Sequence, residues 1–447
     1  MLTFLHLSDI HFSRRNDASQ FDLDQQIRRA LIDDLGVRPE GCPQYDALLI
    51  TGDIAYSGKK DEYDVAKKFL EEVYAKTDLS MKETYVVPGN HDVDRDHVQP
   101  KFPLWDSHEA IRRNANPVHW RDAIQTQLQK DPSKLLLAPF HAYNDFAQGC
   151  ECETTASDLA WSHLFEPALE FDFRVRLRGL NSALISDAAD APTKLLVSAF
   201  QTAKLCDTLG EVNLVMSHHP PEWLMDKAEL RETLRRFAPI VLFGHEHSVR
   251  LQADDKQMQL FAGALQPERD AANWTPTYHI VQLAIEGTRE QPQLLVRVHT
   301  RELHNFRFRG WRNEDDELVC ERRFNVTPLD RDRANMATAP NAIASITLSP
   351  AATMPSAETQ TRMRSTDGKR DLRVHFFQLP TPRRYEAAFT AGLLRDGDDS
   401  LDPQVMWAEV FRRADEEKKL EEFWEAVAAH TPVMKKNSNP FKEGCHA

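Results

Sequence analysis

Glu83-Thr84-Tyr85-Val86-Val87-Pro88-Gly89-Asn90-His91-Asp92-Val93-Asp94 is the stretch whose reading decides the fold. Its β-branched and aromatic run, Thr84 to Val87, predicts a buried strand that Pro88-Gly89 stops and turns sharply. Asn90, His91 and Asp92 then stand beyond the strand's carboxyl end, where an open α/β sheet binds its ligands. Alone, an Asn-His-Asp sequence would read as an ordinary polar turn, because Asn and Asp are common turn residues.

Four more stretches repeat the pattern, each delivering groups able to bind a metal. Phe4 to Ser8 runs into Asp9-Ile10-His11, and Ala47 to Thr51 into Gly52-Asp53. Val212 to Met216 runs into Ser217-His218-His219-Pro220, and Ile240 to Phe243 into Gly244-His245-Glu246-His247. Carboxylate, imidazole and amide oxygen are the ligand types of Mn²⁺, Fe or Zn²⁺. Seven such groups are too many for one ion. They suit two ions about 3.5–4 Å apart that share one carboxylate, for which Asp53 is the natural bridge.

Asp9-x-His11, Gly52-Asp53, Gly89-Asn90-His91-Asp92, His218 and Gly244-His245-x-His247 together resemble the ordered signature of the calcineurin-like metallophosphoesterases. The resemblance spans Met1 to His247 and implies a four-layer α/β-β/α sandwich. It further implies that Asp9, His11 and His247 hold one ion and Asn90, His218 and His245 the other, with Asp53 between them. His218 is preferred to His219 because the family's block resembles His-x-Pro with the first His as ligand, which leaves His219 behind the ligand shell. The expected cofactors are two divalent ions, Mn²⁺ first and Fe, Zn²⁺ or Co²⁺ as alternatives. By the same resemblance, His91 is the catalytic residue: it contacts the phosphate and protonates the leaving oxygen, a role suited to a side chain titrating near neutral pH. A water activated by the metals would attack phosphorus in line.

At 447 residues the chain is too long for one ordinary core. Its mean hydropathy is -0.54, and no apolar run nears the roughly 20 residues of a membrane span. Leu2 to Leu7 lacks a basic flank and leads straight into Asp9, so no secretory signal is expected. The six cysteines are scattered, and Cys150-x-Cys152 is too tight for an easy disulfide. Reduced thiols and a cytoplasmic location follow as expectations. A net charge of -14 disfavours a protein that grips nucleic acid through a broad basic surface.

The metallophosphoesterase domain is placed at residues 1–327. Phe21 to Leu35 and the stretch from Asp61 carry helical apolar spacing, and their alternation with strands predicts a mostly parallel sheet. Val93 to Phe171 reads as a helical insertion holding Trp105, Trp120, Phe140 and Trp161, either a cap over the site or packed elaboration. Its histidines, His97, His108, His119, His141 and His163, sit in no strand-end turn. Asp172 to Ser186 alternates as strands entering a second sheet, Lys194 to Leu209 reads as helical, and strands from Val249 to Val326 close that sheet. Arg297 to Arg312 reads as a strand with an Arg-rich outward face. Residues 328–367, rich in Ala, Pro, Ser and Thr, read as a flexible linker. Residues 368–447 form a small, mainly helical adaptor-like module, with Arg370 to Gln378 as a short strand. Leu420, Phe423, Trp424 and Val427 make an apolar stripe available for self-association or a protein partner.

Gly52-Asp53-Ile54 lacks the Asp-Arg-Gly continuation of the protein Ser/Thr phosphatases, and Asp92 stands where they carry Glu. The overall resemblance is closer to bacterial phosphodiesterases acting on nucleotides or cyclic nucleotides. Two alternatives are a nuclease resembling the DNA-repair exonuclease branch, and a metal-stabilised scaffold in a bacterial defence or signalling assembly. No membrane partner is expected.

Overall fold

Thr84–Val86 is a strand, and its register explains why the turn after it matters. In the computed structural model the described residues are 1–13, 24–38, 42, 44–100, 103–113, 117–130, 135–165, 169–266, 274–313, 315–327, 357–395, 397–398, 403–431, 434 and 439–442. The strands are β1 (Leu2–Leu7), β2 (Ala47–Ile50), β3 (Thr84–Val86), β4 (Ala160–Phe165), β5 (Arg174–Leu180), β6 (Glu211–Ser217), β7 (Ile240–Phe243), β8 (Arg250–Ala253), β9 (Met258–Phe261), β10 (Thr277–Gly287), β11 (Pro292–His304), β12 (Arg307–Gly310) and β13 (Val319–Asn325). One sheet runs β12-β11-β10-β1-β2-β3, with β13 also on β11; the other runs β4-β5-β6-β7-β9-β8.

Within the first sheet β1, β2 and β3 are parallel, with Leu7 level with Ile50 and Ile50 level with Val86. Within the second, β6 and β7 are parallel, with Ser217 level with Phe243. Every turn singled out in the sequence therefore leaves a carboxyl strand end, and within each sheet these ends are in step. The sheets stack through Phe4 against Phe165 at 5.1 Å between ring centroids, Tyr85 against Phe165 at 5.5 Å, and an indole N–H of Trp161 donated to the Val86 carbonyl at 2.9 Å.

Helices supply the outer layers. Val215, Val241, Phe243 and Phe261 pack in one cluster with Leu230 and Leu234 of the helix Lys227–Phe237. The alternate residues Leu214, Met216, Ile240 and Leu242 are buried too. Strands covered on both faces need continuous apolar runs, which is how β6 and β7 read in the sequence. On the first sheet, Asp34 of the helix Gln25–Leu35 accepts from Tyr278 on β10 and from Arg301 on β11.

Several expectations are corrected. β4 lies inside the stretch assigned to the insertion, so the helical part ends before Ala160 and not at Phe171. Of the two readings of its aromatics, packing accounts for three: Trp120 and Phe140 are buried, and Trp161 bonds between the sheets. Lys194 to Leu209 holds only the short helix Ala199–Thr202, because Leu195 to Ser198 bonds instead to Trp223 and Asp226 in irregular backbone. Arg297 to Arg312 is a hairpin, β11 and β12, turning at Asn305 and Phe306 with positive φ, and its cations are used: Arg297 on Glu321, Arg301 on Asp34, Arg309 on Glu302.

The chain divides into two compact units, Met1–Ala147 with Cys152–Thr338, and Gln148–Glu151 with Ala339–Ala447. Of the expected linker, residues 328–356 lie outside the described residues, while the helix Ala357–Gln378 takes up the remainder and also replaces the strand expected at Arg370 to Gln378. Phe376 explains that replacement. It is fully buried among Phe377, Trp407, Phe411 and Phe423, all 5.2–5.3 Å away between centroids, a cluster that helical spacing assembles. The stripe expected to be free for association is spent here as well: Phe423, Trp424 and Val427 are inside the same core. Phe389, 76% exposed, is the apolar side chain this unit leaves to solvent most fully among the described residues.

Candidate metal centre

Five strand ends deliver the candidate residues, and the backbone pays conformational strain to do so. Asp9, His11, Asp53, His245 and His247 all have positive φ, between 51° and 70°. For residues with a Cβ this conformation is uncommon and costs on the order of 1 kcal/mol or more each, and its concentration at one rim marks a functional site. The glycines of the motifs have steric reasons. Gly52 has φ +93°, and a Cβ there would lie 2.6 Å from His218 Nδ1; a Cβ at Gly89 would overlap the Asp53 carboxylate.

The structure brings all eight predicted residues together. Asp53 Oδ2 is 3.1 Å from His11 Nε2 and 3.3 Å from His218 Nε2, while its Oδ1 accepts the His91 backbone N–H at 2.8 Å. His247 Nε2 is 3.3 Å from Asp9 Oδ1. Asn90 Oδ1 has His218 Nε2 at 3.2 Å and His245 Nδ1 at 3.1 Å. Two overlapping donor groups result, Asp9-His11-His247 and Asp9-Asp53-His218, with ligand atoms of each within 4.8 Å of one another.

Tautomers reveal what belongs in the middle. His11 Nδ1 faces the Gln266 carbonyl at 2.8 Å and His218 Nδ1 faces the Thr51 carbonyl at 2.7 Å. A carbonyl only accepts, so both Nδ1 atoms carry a proton, and each Nε2 is left as the atom that can offer a lone pair to an ion. Those lone pairs point at the acceptor oxygens of Asp53 and Asn90. Acceptors facing acceptors require a cation between them, and the donor set fits a divalent metal. Without one, protons must stand in: although burial opposes it, the Asp53 charge pushes His218 up to about 9. Burial likewise works against ionised Asp9, yet hydrogen bonding from His247 and the charge of His218 hold it down at about 2.

His219, expected behind the ligand shell, stands close to the cluster. Its Nε2 also lies 3.1 Å from Asn90 Oδ1, and it groups with His218 and His245 as a third donor; its Nδ1 meets Ser182 Oγ at 2.9 Å. Both histidines lie just beyond Ser217, where the strand ends, so both side chains can turn to the same rim. Trp223, unmarked in the sequence, sets its ring edge-on to His245 at 4.1 Å.

Asp92 braces the turn. Its buried carboxylate accepts from the backbone N–H groups of Ile54, Ala55 and Gly89 and from Tyr63 Oη, so it ties the Asp53 turn to the His91 turn. His91 Nδ1 faces the Tyr56 carbonyl at 2.8 Å, and Arg95 Nη2 lies 2.8 Å from Nδ1 and 3.3 Å from Nε2. Burial pushes this imidazole down to about 4, against the pull of Asp53 and with the Arg95 charge adding to the push, so the near-neutral titration expected of it is not a property of the ion-free site. His91 also forms a possible donor group with His11 and Asp53. Among the described residues, His97, His108, His141 and His163 belong to none of these donor groups; His108 is buried on Asp187 at 2.8 Å.

A family model described as calcineurin-like phosphoesterase matches residues 2–249, and one described as GTPase-associated adaptor domain matches residues 368–429. An uncharacterized metallophosphoesterase-like protein of Bacillus subtilis is 26% identical over 303 residues, covering 64% of this chain and 57% of that relative, so the chain spans little more than half of that protein's length. Among solved structures, Vps29 from Entamoeba histolytica is 11% identical, covering 73% of this chain and 100% of that one, with a TM-score of 0.29. GAP50 of Plasmodium is 12% identical over 76% of this chain and 95% of that one, with a TM-score of 0.39. No helix among the described residues is long and apolar enough to cross a membrane, and the described cysteines are free.

Proposed function

The chain belongs to the calcineurin-like phosphoesterase family, a family of metal-dependent phosphoester hydrolases, and from that premise we propose that it hydrolyses phosphodiesters of the nucleotide or cyclic nucleotide class with a two-ion centre. The observation that carries this reading is the convergence of the Nε2 atoms of His11 and His218 on Asp53 Oδ2, with each Nδ1 fixed on a backbone carbonyl. Asp9, His11 and His247 would hold one ion, Asn90, His218 and His245 the other, with His219 offering a further nitrogen to the second and Asp53 shared. What such ions supply is Lewis acidity, which acidifies a water nucleophile and offsets charge on the phosphoryl oxygens. Mn²⁺ suits this mixed nitrogen and oxygen donor set.

The protein's own groups do the rest. The Gln266 and Thr51 carbonyls hold the two imidazoles in the ligating tautomer, and Asp92 keeps the two turns that carry Asp53 and His91 in register. His91, anchored at Nδ1, presents Nε2 to the leaving oxygen and delivers a proton there once a bound phosphate anion raises its basicity. The purified protein is expected to turn over bis(p-nitrophenyl) phosphate with Mn²⁺ and to prefer cyclic nucleotides to labelled single- or double-stranded DNA. Undiminished turnover after complete metal removal would sink the two-ion reading, and a preference for DNA would replace the nucleotide class with a nuclease.

The C-terminal unit contributes association, a role supported by its match to an adaptor-domain model. A chain ending near Val326 is expected to keep its metal-dependent diesterase activity and to lose a protein partner or a self-associated state, read by co-purification and light scattering. If it folds and binds metal but is inactive on small diesters, the unit belongs to the active site instead.

A further inference from the structure

Next to the ligand cluster stand an exposed cation and an exposed aromatic ring that the hydrolytic chemistry does not use. Arg95 is exposed, and its guanidinium lies over the Tyr56 ring at 5.7 Å while its Nη2 reaches His91. Among the described residues it meets no carboxylate. That is unlike the cation beside it: Lys59 is neutralised by both Asp94 and Asp96. It is also unlike Arg112, Arg176 and Arg301, each ion-paired. Tyr56 is 39% exposed, and its ring centroid is 5.5 Å from that of His91.

The geometry of His91 sets what these two side chains face. His91 Nδ1 lies 2.8 Å from the Tyr56 carbonyl, and Arg95 Nη2 lies 2.8 Å from Nδ1 and 3.3 Å from Nε2, so the guanidinium stands over the ring edge that carries the nitrogen proposed to meet the leaving oxygen. A phosphoryl group placed against Nε2 comes within reach of the same guanidinium, whose planar fork matches two phosphate oxygens better than one imidazole lone pair. The group bonded to the leaving oxygen lies on the His91 side of phosphorus, and on that side Tyr56 offers an aromatic face. Aromatic faces stack on nucleobases and gain little from an alkyl alcohol.

We infer that Arg95 and Tyr56 form the subsite that selects nucleotide over alkyl phosphoesters, Arg95 holding a phosphoryl oxygen and Tyr56 stacking on the base. The inference rests on the proposed reading of the site, whose His91 fixes the leaving-group side. Arg95 and Tyr56 are specificity residues, so their effect is read in binding and not in turnover alone.

The test is calorimetric titration of the full-length, Mn²⁺-loaded protein with adenosine 5′-monophosphate and with glycerol 3-phosphate. The wild type is expected to bind the nucleotide about tenfold more tightly, the low end of one stacked base. Tyr56→Leu should remove that preference, Tyr56→Phe should keep it, and Arg95→Ala should weaken both ligands about tenfold or more, with Arg95→Lys intermediate. Ion content measured in every variant shows that each remains folded and loaded. Equal affinities in the wild type, a preference that survives Tyr56→Leu, or binding indifferent to Arg95→Ala would each overturn the inference. A protein that shows the preference yet hydrolyses no diester refutes the phosphodiesterase reading and leaves the subsite standing; diester hydrolysis without the preference does the reverse.

Discussion

Asp53→Asn is expected to strip the centre of at least one ion and to lower turnover at least about a thousandfold, several kcal/mol of lost charge stabilisation. The reason is local. One carboxylate oxygen of Asp53 accepts the His91 N–H, and the other meets the Nε2 atoms of His11 and His218. An amide can satisfy the first contact with its oxygen only by turning its NH₂ into the second, where a neutral donor replaces the anion that two metals would share. Elemental analysis and turnover on the same sample check this. Full ion content with full activity would remove Asp53 from the bridging position.

His91→Ala is expected to behave differently, losing about 10²–10⁴ in turnover, the usual range for a general acid, while keeping its ions. Its Nδ1 faces the Tyr56 carbonyl and Arg95, and Asp53 is reached by the His91 backbone N–H, which alanine retains. Because His11, Asp53 and His91 also sit close enough to form a donor group, the ion content of this variant is decisive. A metal-depleted His91→Ala would make the residue a ligand and not an acid.

How far the sequence could be read follows from where its information is local. The strands that carry the site are short runs of apolar residues ended by Gly or Pro, and an apolar run stopped by a turn needs no knowledge of the rest of the chain. His219 was harder, since its direction is set by Ser182 and Asn90, which lie far from it along the sequence. Trp223 and Arg95 belong to loops whose contacts are tertiary, and no spacing announces them. β4 was hidden because Ala160–Phe165 alternates weakly and joins the sheet only as the antiparallel neighbour of β5. The C-terminal stripe was visible, but periodicity tells that a face is apolar and not what covers it; Phe376 of the helix Ala357–Gln378 packs on Phe423 here.

Counting ions on the full-length chain decides whether one carboxylate is shared. The metal-stripped protein, titrated with Mn²⁺ at neutral pH and freed of unbound metal, is expected to retain two ions per chain and to release protons as it binds them, because His218, held up to about 9 in the empty cluster, must give up its proton to become a ligand. Retention of a single ion, or of two without proton release, would contradict a centre built around Asp53.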